Sequence, residues 1–181
     1  MLQLTSINTS HESYPFVEEL MNASFPLEER RDNDAQRHNT DNNPLFTVHL
    51  ATDVKEDGSI IEIGFITSWN FGDFHYLEHF ATNPAIRNAG YGKLILTTLL
   101  EQMPGLVILE VEEPEDDLTR RRIAFYERNG FKICLHEYIQ PAYRPDGKSI
   151  PLKIMYRGQD SLDANFEHVR DTLYHEVYFT H

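Results

Sequence analysis

An apolar run at residues 106–111, LVILEV, limits the possible folds of this chain more than any other feature. It lies between two segments with helical spacing of apolar residues, 91–103 and 119–129. A run of this kind is typical of a strand that is covered on both faces. Further strands are predicted at 2–7, 45–51, 60–69, 74–82, 131–138 and 150–156, and further helices at 14–23, 27–38 and 162–173. This order predicts a mixed α/β fold, with helices on both faces of a mixed sheet.

Length and charge exclude several functional classes. The chain has 181 residues, which suits a single domain over residues 1–181. Its 29 acidic and 16 basic side chains give a net charge of −13, which argues against a nucleic-acid partner. The single cysteine, Cys134, excludes an internal disulfide framework and is expected to be buried. With no secretory signal and no run of about 20 apolar residues, we expect a cytoplasmic protein without a membrane partner.

A glycine-containing segment, residues 87–92 (Arg-Asn-Ala-Gly-Tyr-Gly), lies between a predicted strand and an amphipathic helix. Gly90 and Gly92 allow backbone N–H groups to converge, and the positive end of the helix dipole points to the same place. With Arg87 adjacent, this arrangement indicates a site for a di- or triphosphate. The segment lacks the Lys-Ser/Thr pair of a nucleoside-triphosphate loop and the third glycine of a dinucleotide fold. A plain tight turn into a helix is the alternative.

Two motifs together resemble the GCN5-related N-acetyltransferase (GNAT) superfamily. Arg87, Gly90 and Gly92 match its Arg/Gln-x-x-Gly-x-Gly/Ala signature, and residues 125–131 match its second signature, a helical Phe-Tyr followed by Gly-Phe. The EHFAT, Arg-Ile-x-Phe-Tyr and QPAY segments resemble a bacterial branch of that superfamily. The resemblance implies one GNAT-like domain, with a central, mostly antiparallel sheet of about six to seven strands.

The resemblance also implies roles in binding acetyl-CoA and transferring its acetyl group to an amine. Tyr126 would protonate the leaving thiolate, and a packing role as an aromatic residue of its helix is the alternative. Thr119, where many relatives have Asn, would cap its helix or reach acetyl-CoA. The backbone of the fourth strand would bind the pantetheine arm through Phe80, Ala81 and Thr82. The pyrophosphate would be held by the N–H groups of Asn88, Ala89, Gly90, Tyr91 and Gly92.

Glu78 is the candidate for the base that takes the proton of the attacking amine. A carboxylate in a strand built of aromatic and apolar residues needs a reason to be there. Period-two alternation predicts one face carrying Tyr76, Glu78, Phe80 and Thr82. A structural salt bridge and a contact with a substrate ammonium group are the alternatives for Glu78.

The acceptor site is the least defined part. The resemblance implies that it is walled by the first two helices and the loop joining the last two strands, with Glu28, Glu29, Gln140 and Tyr143 as candidate substrate contacts. The acidic N-terminal part favours a small primary amine, although Arg30, Arg31 and Arg144 equally suit a substrate carboxylate. A protein amino group as acceptor and a non-catalytic acyl-CoA-binding module are the alternatives. No metal site is predicted, and a homodimer through edge strands is left open.

Overall fold

The computed structural model describes residues 1–86 and 90–180, in two compact units, Met1–Pro104 and Gly105–His181. Each unit combines helices with antiparallel strands, and the described residues contain eight strands and five α-helices. The predicted mixed, mostly antiparallel α/β class is therefore confirmed. A single domain over residues 1–181 stays a prediction.

The first unit has four strands that pair in chain order, each antiparallel to the next. They are β1 (Leu2–Ile7), β2 (Phe46–Val54), β3 (Ile60–Asn70) and β4 (Phe74–Thr82). β1 and β4 have the predicted bounds. Large side chains of β3 such as Phe65 and Trp69 are fully buried and form the centre of this unit's core.

Three helices belong to the same unit: α1 (Tyr14–Ser24), α2 (Asn33–Asn42) and α3 (Tyr91–Leu100). α1 lies against β3 and β4, and α2 lies against β2. The helix predicted over residues 27–38 is wrong in its first half, where only a single 3₁₀ turn forms over Leu27–Glu29. The chain is extended at Arg30, and α2 begins after Asp32, whose side chain accepts a hydrogen bond from Ala35 N at 2.8 Å. This N-cap fixes the helix start.

The second unit has four strands: β5 (Leu106–Glu112), β6 (Lys132–Ile133), β7 (Tyr138–Gln140) and β8 (Ile150–Arg157). β8 pairs antiparallel with each of the other three. The strand predicted over residues 131–138 is wrong in its middle, which separates β6 from β7. Cys134 lies there and is buried, as predicted, with its N–H donating to Ile154 O.

Helices α4 (Asp117–Glu127) and α5 (Phe166–Thr172) complete the second unit, and a π-helical turn, Leu173–Val177, follows α5. The predicted C-terminal helix begins later than expected. Its predicted apolar stripe is nevertheless buried in full, at Leu162, Phe166, Val169 and Leu173. Among the described residues, no helix has the length and apolar character needed to cross a bilayer.

Candidate functional site

Strand β4 contains a β-bulge beside the predicted base. β3 and β4 pair Trp69 with Tyr76 and Phe65 with Ala81. Four positions separate the two residues on β3 and five separate their partners on β4, so β4 carries one extra residue between them. Thr67 lies on β3 opposite this insertion, and its hydroxyl accepts a hydrogen bond from the His79 N–H at 2.9 Å.

The bulge changes which side chains of β4 share a face. Residues paired across two strands lie on the same face, so the register places Ala81 with Tyr76. The predicted face of Tyr76, Glu78, Phe80 and Thr82 is therefore wrong for Phe80 and Thr82, which lie on the opposite one. The prediction assumed that side chains alternate strictly between the two faces of β4. The bulge breaks this alternation, and it depends on how β4 pairs with β3, which the sequence of β4 alone does not reveal.

The carboxylate of Glu78 lies in a buried ion pair. Its side chain has 0% exposure, and that of Arg31 has 5%. Arg31 Nη1 donates to Glu78 Oε1 at 2.7 Å, and Trp69 Nε1 donates to Oε2 at 2.8 Å. The Arg31 guanidinium also lies 5.5 Å from the centroid of the Trp69 ring. This geometry corresponds to the structural salt bridge among the alternatives for Glu78, and its role as a base stays a prediction.

His79 connects the same strand to the turn that carries two predicted substrate contacts. Its Nε2 donates to Glu29 O at 2.9 Å, and its ring packs edge-on against Phe25 at 4.7 Å. Burial lowers the pKa of His79 and outweighs the opposite effect of the Glu78 carboxylate. The imidazole is therefore neutral near pH 7. Glu28 is exposed on the same turn, and Glu29 is half-buried.

The N-terminus of α3 begins at a glycine whose conformation L-residues rarely adopt. Gly90 has φ +78°, and a Cβ placed there would lie in open space. Tyr91 and Gly92 form the first turn, where backbone N–H groups have no partner within the helix. Together with the helix dipole, these groups suit an anion such as a pyrophosphate. Three residues of the predicted loop lie outside the described residues, and their roles stay predictions: Arg87, Asn88 and Ala89.

The side chain of Tyr91 fixes this helix start to β2. Its hydroxyl donates to Asp53 Oδ2 at 2.6 Å, and Lys55 Nζ lies 2.5 Å from the same oxygen. Lys55 and Tyr91 together hold the pKa of the Asp53 carboxyl well below its usual range. Because the phenol is used in this way, Tyr91 can serve a bound anion only through its backbone N–H.

Thr119 forms a capping box with Asp116 at the start of α4. Thr119 N donates to Asp116 Oδ1 at 2.8 Å, and the Asp116 N–H donates to Thr119 Oγ1 at 3.2 Å. The predicted helix-capping role of Thr119 is therefore confirmed. Whether it also contacts acetyl-CoA stays a prediction.

Tyr126 lies near the C-terminal end of α4, packed between two aromatic rings. Phe125 and Phe131 contact it edge-on, at centroid distances of 5.2 and 5.7 Å. Burial raises the pKa of Tyr126 to about 12, and Arg122 opposes this only weakly. The hydroxyl therefore stays protonated at neutral pH. Thr119 and Tyr126 are seven residues apart on one helix, which places them on the same face about 10 Å apart along the axis.

Glu110, on β5, belongs to none of the motifs or candidate site residues that the sequence indicates. Tyr138 donates to its Oε1, and Tyr178 donates to its Oε2 at 2.6 Å. Tyr143 packs edge-on against Tyr178 at 4.9 Å. Gln140, two residues after Tyr138 on β7, is 4% exposed. The signal available in the sequence was a lone acid within the apolar run 106–111.

Each unit thus brings together a subset of the predicted site residues. In the first, Glu78 lies one residue from His79, which contacts the backbone of Glu29. In the second, Tyr143 packs against Tyr178, which donates to Glu110, and Thr119 and Tyr126 share α4. Over the part of the chain that the structure describes, no group of three or more His, Cys, Asp or Glu side chains is arranged to hold a metal ion.

The chain is similar to one protein family and to several solved structures. The model of the acetyltransferase (GNAT) family matches residues 14–131. A solved structure described as a GNAT-family acetyltransferase from Bacteroides thetaiotaomicron is 39% identical, with 99% of each chain covered and a TM-score of 0.90. No curated protein matches this chain in sequence.

More distant solved structures share the fold. The ribosomal-protein-S18-alanine N-acetyltransferase of Escherichia coli is 20% identical, with 87% of this chain and 93% of that chain covered and a TM-score of 0.60. The spermidine/spermine N-acetyltransferase of Vibrio cholerae is 15% identical, with coverages of 86% and 91% and a TM-score of 0.59. One of these proteins is named for a protein acceptor and the other for small polyamines.

Proposed function

The chain belongs to the acetyltransferase (GNAT) family, and on that premise we propose that it transfers the acetyl group of acetyl-CoA to a primary amine of a small molecule. The amine attacks the thioester directly, with both substrates bound in a ternary complex. Catalysis then comes mainly from holding the two reactants together, assisted by proton transfer.

The match of the acetyltransferase (GNAT) family model to residues 14–131, a range that includes Tyr126, is the observation that carries this proposal. Amide formation removes one proton from the attacking nitrogen, and the departing CoA sulfur gains one. A phenol whose pKa is raised to about 12 is still protonated at neutral pH and can donate to that sulfur as the C–S bond breaks. The phenol then recovers a proton from solvent, so no net charge remains on the protein.

The α3 N-terminus supports a site for the acetyl-CoA pyrophosphate. Gly90 leaves the approach free of a Cβ, and the N–H groups of Tyr91 and Gly92 lie in the first helical turn. The β4 backbone from Phe80 to Thr82 would bind the pantetheine arm, and Thr119 would lie along the cofactor.

The buried ion pair of Glu78 supports a positioning role for this residue. A base must accept a proton, and protonating Glu78 would remove the negative charge that faces the Arg31 guanidinium at 2.7 Å. We therefore assign Glu78 to holding Arg31 in place. The amine would then lose its proton to water.

The acceptor contacts stay those that the family resemblance implies. Because the chain has a net charge of −13, its overall electrostatic field attracts a cationic amine and repels an anionic acceptor. Glu28, Glu29, Gln140 and Tyr143 are the candidate contacts, and Tyr143 packs against Tyr178, whose hydroxyl donates to the carboxylate of Glu110.

The test compares Tyr126→Phe with Tyr156→Phe, which removes a buried phenol of the same unit. Tyr126→Phe is expected to lower kcat by about 10²-fold or more while leaving the Kd for acetyl-CoA unchanged. Tyr156→Phe is expected to leave both quantities near the parent values. Acetyl transfer by Tyr126→Phe at the parent rate would show that the phenol is not the acid.

The acceptor is sought in a panel of polyamines, amino acids, aminoglycosides and a peptide with a free N-terminus. Turnover of a small amine supports the proposal, and turnover of the peptide alone supports a protein acceptor. Tight acetyl-CoA binding without any turnover would favour the non-catalytic acyl-CoA-binding module.

A further inference from the structure

The first turn of α3, residues 91–94, is weakly held by the helix itself. Gly90 is the N-cap and Gly92 is the second helical residue, and glycine is among the poorest helix formers. Core packing begins only in the second turn, since Leu94 is 46% exposed and Ile95 is the first fully buried residue. Neither helix propensity nor apolar burial therefore fixes where α3 starts.

No side chain caps the start of α3 either. Gly90 has none to offer, whereas Asp32 caps α2 and Asp116 caps α4 through N–H groups of their first turns. A cap of that kind accepts a hydrogen bond from one of the N–H groups that an anion at a helix start would use. If these groups are to stay available, the helix start has to be held from another direction.

Three side chains of the first unit hold it from the side of β2, and we call Asp53, Lys55 and Tyr91 the α3 tether. The Tyr91 hydroxyl and Lys55 Nζ both donate to Asp53 Oδ2, at 2.6 and 2.5 Å. Lys55 Nζ also lies 3.2 Å from the Tyr91 hydroxyl oxygen, which closes a triangle of hydrogen bonds. The Met1 amino group donates to the other oxygen of Asp53 at 2.7 Å.

The position of the α3 tether matches the weak point of the helix. Tyr91 lies between Gly90 and Gly92, and it is the residue that the hydrogen bonds attach to the sheet. Asp53 is buried in β2, which is paired on both sides, with β1 and with β3. The flexible start of α3 is thus joined to a rigid strand, and its N–H groups take no part in the attachment.

We propose that Asp53 and Lys55 are positioning residues for acetyl-CoA, which act through the Tyr91 hydroxyl to align the first turn of α3 before the pyrophosphate binds. The inference rests on the proposed function, because it takes the pyrophosphate of acetyl-CoA as the anion at this helix start. A site that is ordered in advance loses less conformational freedom on binding. Without the α3 tether, acetyl-CoA binds only to the fraction of molecules in which the turn is formed, so its apparent affinity falls.

Binding is tested by calorimetric titration of the full chain with acetyl-CoA in the absence of an acceptor. Tyr91→Phe removes only the hydroxyl and is expected to raise the Kd at least about fivefold, because a hydrogen bond to a charged group shifts an equilibrium by about tenfold or more. Tyr14→Phe, which removes a buried phenol on α1, is expected to keep the wild-type Kd. Equal Kd values for wild type and Tyr91→Phe would overturn the proposal. Absence of acetyl-CoA binding by the folded wild type would overturn the proposed function as well.

A double-mutant cycle tests whether Asp53 acts through Tyr91. Asp53→Ala is expected to raise the Kd by a similar factor, and the double variant Asp53→Ala/Tyr91→Phe is expected to raise it no further than the larger single effect. Two effects that multiply would show that the residues act separately, which contradicts the α3 tether.

Amide hydrogen exchange tests the helix start without any ligand. The Leu94 N–H donates to Gly90 O at 3.2 Å and forms the first bond of the helix. Its exchange is expected to be at least about fivefold faster in Tyr91→Phe than in the wild type, whereas exchange at Leu99, in the buried last turn, is expected to be unchanged. Equal exchange at Leu94 in the two proteins would overturn the proposal.

The kinetic test compares acetyl-CoA with S-acetylpantetheine, a donor that lacks the pyrophosphate. In Tyr91→Phe, the KM for acetyl-CoA is expected to rise at least about fivefold at unchanged kcat, while kcat/KM for S-acetylpantetheine stays at the wild-type value. An equal loss with both donors would indicate general damage to the fold and overturn the positioning role. Tyr91-dependent binding of acetyl-CoA without turnover of any amine would support the α3 tether and refute the proposed acetyl transfer.

Discussion

The ion pair between Arg31 and Glu78 predicts a large effect of a small substitution. Glu78→Gln keeps the shape of the side chain and its ability to bond Trp69 Nε1, but it removes the charge that faces Arg31 at 2.7 Å. Removing one partner of a buried ion pair costs about 3–5 kcal/mol. For a chain of this length, that corresponds to a fall in Tm of roughly 6–20 °C.

An exposed ion pair in the same unit serves as the control. Glu18 and Arg37 make two hydrogen bonds of similar length, but the Arg37 side chain is 52% exposed. Since exposed pairs contribute about 0–1 kcal/mol, Glu18→Gln should lower Tm by no more than roughly 4 °C. A larger fall in Tm for Glu78→Gln than for Glu18→Gln would show that burial makes the loss of an ion pair costly.

The assay is thermal and urea unfolding of both single variants and of the double variant Arg31→Met/Glu78→Leu. An apolar pair of similar volume is expected to recover most or all of the lost stability. If Glu78→Gln costs less than about 1 kcal/mol, the carboxylate is not held as described and its assignment to a positioning role fails. Retained acetyl-CoA binding in the double variant would show that the loss in Glu78→Gln is one of stability.

Two further predictions concern pH and backbone packing. Burial lowers the pKa of His49 from 6.5 to about 4, so between these values the unfolded chain takes up a proton that the folded chain does not. Roughly 3 kcal/mol of unfolding free energy should be lost as the pH falls from 6.5 through 4, and urea unfolding of His49→Asn should show a smaller loss. Gly158 has φ +92°, and a Cβ there would lie 1.9 Å from Gly105 O, whereas Gly58, at φ +82°, has open space around it. Gly58→Ala should cost about 1 kcal/mol and Gly158→Ala several times more, and equal Tm values for the two would contradict the packing argument.

The sequence predicted elements well where hydrophobic periodicity alone decides them. β1 and β4 have the predicted bounds, and the apolar stripe from Leu162 to Leu173 is buried as expected. The prediction was wrong where one polar side chain set a boundary. Asp32 starts α2 later than the charged segment indicated, because its carboxylate caps the Ala35 N–H.

The site was less predictable because its geometry depends on long-range contacts. Glu78 was singled out from its position in an apolar strand, but its partner Arg31 is 47 residues away in the chain and no local pattern joins the two. Glu110 was missed, since its tyrosine partners come from β7 and from the C-terminal end of the chain. Tyr126 and Thr119 were named from the resemblance of their motif to the GNAT superfamily, and their roles toward acetyl-CoA stay predictions.

The bulge in β4 has a consequence for the design of variants of this strand. On the Tyr76 face, the side chains come from even-numbered positions up to Glu78 and from odd-numbered positions from His79 onward. A mutant library meant to vary only this face must follow that change. A library restricted to even positions would instead alter both faces of the sheet at once. Deleting either Glu78 or His79 would leave four positions between the partners on both strands, so regular alternation would return with Ala81 still on the Tyr76 face and Phe80 on the opposite one.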